Sequence, residues 1–428
     1  MKVLVLGSGG REHALFWKCL QSPQVETVYA APGNGATSVL NVSVDLRPTD
    51  PAAVLRAVEK LGIDLTVIGP DDAVAAGVAN VLGAAGKAVF GPTAEAGRVE
   101  SSKAFAKEVM AAAGIPTPGF AVFDDAAAAR EHARASGTGL VVKADGLALG
   151  KGVLVCDTVE ETEAAIGTVM EARAFGDAGA RVILEERVSG PEVSLMCFCD
   201  GEVARPMVPA RDYKRVGDGD TGPNTGGMGV YSPPSDFGPG MVDQVVRTCA
   251  QPLLDELKRR GTPYSGCLYV QVMLTDAGPQ VIEYNARFGD PEAQVVLPRL
   301  ETDLVDLMMA CTRGGLAHWE PKWSPDATVG VVLASGGYPG KYATDRRIEG
   351  LSRLDPGVIP FHAGTRYAHG GFYTGGGRVL TLVARGADVV EARAKVYENL
   401  ERVSFDGSFY RRDIAAMEVH AAGAATEG

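Results

Sequence analysis

The sequence predicts an α/β protein, and two observations support this class. The chain has 428 residues, of which 46% are hydrophobic and 22% charged, as expected for a globular protein of two to four domains. Over residues 1–93, short β-branched runs alternate with helical stretches, and each run ends near glycine or proline. This alternation is typical of a parallel sheet flanked by helices. The predicted strands span residues 3–6, 25–30, 65–68 and 88–90.

The first strand runs into a glycine-rich turn, GSGGREH, which could hold a phosphate. Gly7 and Gly9 fit a dinucleotide-binding pattern, but its third glycine position holds Glu12. The next strand ends in AAPGN and offers no acid for a ribose, so the pattern argues against NAD. Amide N–H groups and the dipole of the following helix can still bind an anion, so a smaller phosphorylated ligand remains open.

A helix is predicted from about residue 94 to Gly114, with Lys103 and Lys107 one turn apart. A smaller unit follows at about residues 119–190, with a helix predicted at 159–174.

In this unit the segment VVKADGLALGKG (141–152) places Lys143 in an apolar strand before a loop that can wrap a phosphate. A Walker A loop is excluded because Gly152 stands where Ser or Thr is required. The alternative is a mobile hairpin tip with a solvated lysine. The loop residues in question are Gly146, Gly150, Lys151 and Gly152.

Three acids lie at the end of the next predicted strand, in VILEERVSGPEVS (182–194). Glu185 and Glu186 end the strand, and Glu192 follows a Ser-Gly-Pro turn. Backbone groups at such an edge can pair with an adenine, and a carboxylate nearby can accept hydrogen bonds from ribose hydroxyls. The alternative is that these acids are only solvated.

The middle of the chain contains two predicted hairpins separated by a long loop. Asp-Gly and Asp-Ala-Gly turns are predicted at residues 200–201 and 276–278. The glycine-rich segment 211–234 lies between the hairpins, and a loop of this length is usually functional. From about residue 327 we expect a separate module with strands at 329–333 and 379–383 and a helix at 388–402.

The segment VIEYNARFGDPEAQ (281–294) carries the strongest chemical pattern. In a strand, Glu283, Asn285 and Arg287 share one face. A carboxylate and an amide oxygen suit Mg²⁺, and the arginine would then face a phosphoryl group that the metal binds. The alternative is a structural ladder of polar contacts.

Charge and cysteine content limit the partners and the location. A net charge of −12 and a pI near 5.1 argue against nucleic-acid binding. The seven cysteines are scattered and include no C-x-x-C pair, as in a reduced, cytoplasmic protein. No run of 18 apolar residues predicts a membrane span. We expect a cytoplasmic protein with small-molecule ligands and no membrane partner.

Several stretches together resemble the ATP-grasp ligases and, among them, the phosphoribosylamine–glycine ligase (glycinamide ribonucleotide synthetase) family. The similarity runs almost from end to end. The pairing of GPNTGGMG with RFGDPE is specific to this family. The matching stretches are LGSGGREHAL, GPTAEAGRVESSKAF, KADGLALGKGV, AFGDAG, DTGPNTGGMGVYSP, IEYNARFGDPE, GGYPG, HAGT and GGRVL.

The resemblance implies a fold and a reaction. The fold is a Rossmann-like N-terminal domain (1–100), a split ATP-grasp domain (101–326) with a mobile lid at about 119–190, and a β-rich C-terminal domain (327–428). The reaction is ATP + glycine + 5-phosphoribosylamine → ADP + phosphate + glycinamide ribonucleotide, through glycyl phosphate. Alternatives are another ATP-grasp carboxylate–amine ligase or a nucleotide-binding protein without turnover. We expect a monomer or weak homodimer.

The resemblance also implies residue roles. ATP is expected to contact Lys103, Lys143, Gly146, Gly150, Lys151, Gly152, Glu185, Glu186, Val188 and Glu192. Mg²⁺ or Mn²⁺ is expected on Glu283 and Asn285. Phosphoribosylamine is expected near Gly9, Gly10, Asn224, Thr225, Gly226 and Gly227. Arg287 is expected to meet the transferred phosphoryl group, and Asp212 and Asp290 either bind the glycine ammonium or take a proton from the attacking amine.

Two departures from the family pattern stand out. Many ATP-grasp relatives carry an acidic metal ligand on the strand before the E-x-N pair, where this chain has Gln271. In ARDYKR (210–215), Arg211 and Tyr213 stand where the family more often has glutamine and histidine, so their roles are open.

Overall fold

The computed structural model describes residues 1–147 and 152–420. The parallel sheet expected near the N-terminus is confirmed: β1 (Lys2–Gly7), β2 (Thr27–Pro32), β3 (Leu65–Ile68) and β4 (Val89–Phe90) pair in the order β2–β1–β3–β4. The central strands β1 and β3 are buried, as is usual when helices cover both faces. The helices of this part are α1 (Gly10–Cys19), α2 (Gly35–Val39), α3 (Pro51–Leu61), α4 (Asp71–Ala75), α5 (Val78–Ala84) and α6 (Arg98–Ser101).

The single helix predicted from about residue 94 to Gly114 is wrong in one respect, because α6 is followed by a separate helix, α7 (Lys103–Ala113). Ser102 between them is extended, with φ of −139°, and its Oγ accepts the N–H of Phe105 at 3.2 Å. Serine is a strong N-cap, which explains why a new helix begins here. The predicted stop is correct: Gly114 has a left-handed φ of 65°.

The segment expected to form a lid, residues 119–190 and called the lid below, contains an antiparallel sheet covered by two helices. Its elements are β5 (Phe120–Phe123), α8 (Ala126–Ser136), β6 (Val141–Ala144), β7 (Val153–Val155), α9 (Val159–Ile166) and β8 (Val182–Glu185). The strands pair in the order β5–β8–β6–β7, and a π-helical turn, Gly167–Glu171, extends α9. The expectations for Gly150 and Lys151 fall on residues outside those described.

The next part contains both predicted hairpins and further helices. Its elements are β9 (Glu192–Asp200), β10 (Ala204–Pro206), β11 (Arg211–Asp212), β12 (Arg215–Gly217), β13 (Thr221–Asn224), β14 (Gly229–Ser232), α10 (Pro239–Val245), α11 (Gln251–Arg259), β15 (Ser265–Thr275), β16 (Gly278–Asn285), α12 (Glu292–Val296) and α13 (Leu304–Arg313).

An antiparallel sheet in the order β10–β9–β15–β16 forms the centre of this part. Successive residues of β9 point to opposite faces: Leu195 packs in the core that contains Leu253 of α11, and Met196 packs in the core that contains Met308 of α13. The glycine-rich segment predicted as a loop is not wholly irregular, because β11, β12, β13 and β14 form within it.

The C-terminal module consists of β17 (Ala327–Ser335), β18 (Ile359–His362), β19 (Thr365–Ala368), β20 (Gly371–Thr374), β21 (Arg378–Gly386), α14 (Val389–Leu400) and β22 (Ser408–Phe409). Its main sheet has the order β11–β14–β17–β21–β18, so two strands of the glycine-rich segment belong to it. This connection carries that segment to the edge of the site described below. No helix in the described ranges is both long enough and apolar enough to cross a membrane.

Candidate active site

A cavity of about 1390 Å³ lies where the lid, the β15–β16 hairpin, the glycine-rich segment and the C-terminal module meet. It brings together most of the residues predicted from sequence. Gly9, Gly10 and Gly227 are outside its lining. The predicted residues that line it are Lys103, Lys143, Gly146, Gly152, Glu185, Glu186, Val188, Glu192, Asp212, Asn224, Thr225, Gly226, Glu283, Asn285, Arg287 and Asp290.

The end of β16 places the predicted metal ligands and arginine side by side. Asn285 Nδ2 is 3.5 Å from Glu283 Oε1, and Asn285 Oδ1 accepts a hydrogen bond from Arg287 Nη2 at 2.9 Å. Glu283 and Asn285 share a face because alternate side chains of a strand do, whereas Arg287, expected on the same strand, lies in the bend after β16 ends at Asn285. The ladder of polar contacts considered as an alternative is present, but it lines the cavity and can therefore meet a ligand.

Glu283 carries a negative charge because lysines surround it. Burial works to raise the pKa of Glu283, but Lys214, Lys103 and Lys143 outweigh this effect and lower the pKa. Its carboxylate and the Asn285 amide oxygen, which accepts from Arg287, are hard oxygen donors of the kind that Mg²⁺ takes. Within residues 1–147 and 152–420, no three His, Cys, Asp or Glu side chains group to hold a metal. Glu283 and Asn285 can supply two oxygen ligands to a divalent cation.

Two buried lysines share one carboxylate at the base of the lid. Lys143 Nζ lies 2.9 Å from Glu185 and donates to the Ile282 carbonyl at 3.1 Å. Lys107 Nζ lies 3.1 Å from Glu185 and donates to Thr117 Oγ1 at 2.6 Å. Burial lowers the pKa of Lys107 to about 8, and Lys143 adds to that shift against the attraction of Glu185. Lys143 is thus held in an apolar strand by an ion pair, as its burial requires.

The start of the predicted phosphate loop is attached to the N-terminus of α7. Asp145 Oδ1 accepts hydrogen bonds from Ser102 Oγ at 3.0 Å and from the Ala104 N–H at 3.1 Å. Lys103 Nζ donates to the Gly146 carbonyl at 3.3 Å. The cation of α7 and the first glycine of the loop therefore lie together at the cavity wall.

Lys214 lies at the centre of a second charged group. Its Nζ is 2.9 Å from Glu192 Oε2, which also accepts from Gln271 Nε2 at 2.5 Å. Burial raises the pKa of Asp212 to about 7; Lys214 opposes this shift, whereas Glu292 and Glu192 add to it. A carboxyl group that titrates near neutral pH is suited to proton transfer.

Asp290 is held by the C-terminal module. Its Oδ2 lies 3.1 Å from Arg378 Nη2, and its Oδ1 accepts from Gln294 Nε2 at 2.8 Å. Burial works to raise the pKa of Asp290, but Arg378 and Arg11 outweigh it and lower the pKa. Arg378 Nη1 also donates to the Gly226 carbonyl at 2.7 Å. One arginine thus joins Asp290 to the glycine-rich segment.

Glu12 explains why the first glycine-rich turn does not fit a dinucleotide. Its Oε2 accepts the Gly9 N–H at 2.7 Å, so a carboxylate already occupies the head of α1. A side-chain carbon placed on Gly7 would lie 2.4 Å from Glu12 Cγ, and one on Gly9 would lie 3.3 Å from Asp290 Oδ2. The turn is therefore filled by Glu12 and lies beside Asp290.

The departures at Arg211 and Tyr213 have local structural partners. Arg211 Nη2 lies 2.8 Å from both carboxylate oxygens of Asp236, and Tyr213 Oη accepts the Ala415 N–H at 3.0 Å. Gln271 pairs with Glu283 across β15 and β16, and its buried Oε1 has no hydrogen-bond partner among the described residues.

Sequence reasoning assigned no role to many of the charged residues that line the cavity, and four of these belong to the charged groups described above. Local spacing could have indicated three of them, because each lies two or four residues from a residue that was assigned. Arg378 had no such signal, since its partner Asp290 is 88 residues away in sequence. The four residues are Lys107, Lys214, Glu292 and Arg378.

Comparison with protein families gives one consistent result. Three phosphoribosylglycinamide synthetase models match the chain: the N domain at residues 1–100, the ATP-grasp (A) domain at 101–293 and the C domain at 328–417. The phosphoribosylamine–glycine ligase of Vibrio cholerae is 46% identical over 420 residues, which cover 97% of each chain.

Solved structures agree. The crystal structure of the Thermotoga maritima phosphoribosylamine–glycine ligase has a TM-score of 0.85 and 35% identity, and the match covers 97% of this chain and all of that one. The biotin carboxylase domain of Hydrogenobacter thermophilus 2-oxoglutarate carboxylase, in complex with MgADP, ADP and bicarbonate, has a TM-score of 0.73 and 16% identity, with 95% of this chain and 91% of that chain covered. This second match shows a common fold.

Proposed function

Because this chain belongs to the phosphoribosylglycinamide synthetase family, we propose that it joins glycine to 5-phosphoribosylamine with ATP, forming glycinamide ribonucleotide, ADP and phosphate. It is an ATP-dependent ligase of purine biosynthesis with an α/β, ATP-grasp fold. The observation that carries the mechanism is the row of Glu283, Asn285 and Arg287 in a cavity that Lys103 and Lys143 also line.

The reaction needs activation because a carboxylate anion has no good leaving group. A glycine carboxylate oxygen attacks the γ-phosphorus of ATP, the bond to the bridging oxygen breaks, and ADP leaves with that electron pair. The amine of phosphoribosylamine then attacks the carbonyl carbon of glycyl phosphate, phosphate leaves, and the nitrogen loses a proton. The protein chiefly positions groups and offsets charge in such a reaction.

The lid side of the cavity provides the nucleotide site in this proposal. Lys103 and Lys143 offset the phosphate charge, and the loop from Gly146 to Gly152 covers the phosphates; Gly150 and Lys151 within it stay predictions. The strand end of β8 takes the adenine and ribose through Glu185, Glu186, Val188 and Glu192.

Glu283 and Asn285 would hold Mg²⁺ or Mn²⁺. When bound, the cation draws charge from the phosphate oxygens and so eases phosphoryl transfer. Arg287, next to these ligands, places its guanidinium toward the transferred phosphoryl group. The support is the lowered pKa of Glu283 and the hydrogen bond between Arg287 and Asn285.

The two aspartates take different roles in this proposal. Asp290 remains an anion beside Arg378 and binds the ammonium of glycine, whereas Asp212, with a pKa of about 7, takes the proton from the attacking amine. Phosphoribosylamine lies between the first glycine-rich turn and the glycine-rich segment. Its contacts would be Asn224, Thr225 and Gly226, which line the cavity, whereas Gly9, Gly10 and Gly227 lie outside that lining and stay predictions.

We further propose a cytoplasmic, monomeric or weakly dimeric enzyme. Its seven cysteines are free and buried, as in a reducing compartment. We propose domain boundaries after residues 100 and 326. The main sheet of the C-terminal module crosses the second boundary, because it includes β11 and β14 of the glycine-rich segment.

The test is ADP release, with glycinamide ribonucleotide identified by mass spectrometry. We expect turnover only when glycine and phosphoribosylamine are both present, and a loss of at least about 100-fold in Glu283→Gln. Glu256→Gln is the control for loss of a carboxylate charge, because Glu256 is buried and paired with arginines but lies outside the cavity. ADP release without phosphoribosylamine would favour a ligase with another acceptor. Nucleotide binding without any turnover would favour a binding protein.

A further inference from the structure

Glu100 is a buried carboxylate that contacts the proposed catalytic arginine. It lies in α6, is 9% exposed, and lines the cavity. Its Oε1 lies 2.8 Å from Arg287 Nη2, and its Oε2 accepts the Ala286 N–H at 2.7 Å. Both oxygens of one side chain are therefore bound to adjacent residues of the segment that follows Asn285.

These contacts fix the orientation of Arg287. Its Nη1 donates to the Phe288 carbonyl at 3.1 Å, its Nη2 donates to Asn285, and its buried Nε has no partner among the described residues. Glu100 is the carboxylate that pairs with this guanidinium at hydrogen-bond distance. Burial raises the pKa of Glu100, and Arg287 opposes this shift, so the ion pair with Arg287 favours the charged form of the carboxylate.

The position of Glu100 in the chain connects two cations of the site. Ser102, two residues later, caps α7, and Lys103 is the first residue of that helix. The turn that places Lys103 at the cavity wall is thus bound through Glu100 to the segment that carries Arg287. A shift of either cation by about 1 Å would move its positive charge relative to a transferred phosphoryl group. Misplacements of this size can lower a reaction rate about 100-fold.

We propose that Glu100 is a positioning residue that holds the Arg287 guanidinium in the cavity and keeps it aligned with Lys103. This inference rests on the role proposed above for Arg287. Glu100 itself touches no reacting atom in this account. It acts through Arg287 and through the backbone at Ala286.

The test is a double-mutant cycle between Glu100 and Arg287. Glu100→Gln keeps the size of the side chain and can still accept the Ala286 N–H, but it loses the charge facing Arg287. We expect kcat to fall about 10- to 100-fold with little change in KM for ATP. In an Arg287→Ala background, the same change should lower kcat by less than about 3-fold, because its target is gone.

Two further variants separate the possible outcomes. Glu100→Asp keeps the charge and should retain more activity than Glu100→Gln. If Glu100→Gln does not fold, the double-mutant cycle is measured with Glu100→Asp instead. Glu256→Gln again serves as the control for loss of a buried carboxylate and should keep wild-type kcat. Wild-type kcat in Glu100→Gln, or equal losses in both backgrounds, would overturn the positioning role. Full activity of Arg287→Ala would instead contradict the proposed mechanism, and the positioning role with it.

Discussion

At the scale of single residues, Asp212 is surrounded by charges of both signs that set the pH at which it accepts a proton. Burial, together with Glu292 and Glu192, raises its pKa to about 7 against the opposing effect of Lys214. A base must be deprotonated to act, so kcat/KM should rise with pH through about 7. We expect Asp212→Asn to lose this rising limb and to lower kcat about 100-fold or more.

The measurement is the pH dependence of kcat/KM at saturating ATP and glycine with phosphoribosylamine varied. Asp306→Asn is the control, because Asp306 lies on α13 and outside the cavity lining. A rising limb that persists unchanged in Asp212→Asn would assign the proton transfer to another group.

At the scale of elements, the buried ion pairs joining α7, β6 and β8 predict a stability effect. Glu185→Gln leaves Lys107 and Lys143 close together without the carboxylate that both contact. Removing one partner of a buried ion pair destabilises a protein by about 3–5 kcal/mol, and we expect a loss of this size in the free energy of unfolding. Urea denaturation followed by fluorescence measures it.

A second substitution distinguishes charge repulsion from a packing defect. Lys107→Met in the Glu185→Gln background removes one of the two cations, while Lys143 keeps its hydrogen bond to the Ile282 carbonyl. The double variant should therefore be more stable than Glu185→Gln alone. If it is less stable, repulsion between the lysines does not explain the loss.

Elements show what sequence could and could not predict. The parallel sheet, both hairpins and the row at Glu283 follow from local periodicity, which the chain displays directly. The break at Ser102 and the strands of the glycine-rich segment depend on a cap and on pairing with β17, which periodicity does not report. The contacts of Arg378 and Glu100 could not be predicted because they join segments 88 and more residues apart.

At the scale of the whole molecule, the N-terminal part and the C-terminal module meet at a pair of histidines, of which His362 is buried and His13 half-buried. His13 lies on α1 and His362 on β18, and the His362 N–H donates to His13 Nδ1 at 2.9 Å. Burial lowers the pKa of His13 to about 4, and burial together with the nearby His13 lowers that of His362 to about 3. Protonation of His13 Nδ1 would also break the hydrogen bond, so the contact requires a neutral ring.

The sign of the resulting pH dependence follows from where the protons bind. Between pH 6.5 and about 4 the unfolded chain takes up protons on these histidines and the folded chain does not. The contribution of the neutral histidines to the free energy of unfolding is therefore complete above pH 6.5 and is lost as the pH falls. His13→Asn keeps a hydrogen-bond acceptor and cannot titrate. Its free energy of unfolding should therefore fall less than that of the wild type, by about 1–2 kcal/mol, between pH 6.5 and 5. His318→Gln, at an exposed site, should follow the wild type. The measurement is the free energy of unfolding from urea denaturation at each pH. If it falls equally with pH in His13→Asn and wild type, protonation of His13 does not weaken the junction between α1 and β18.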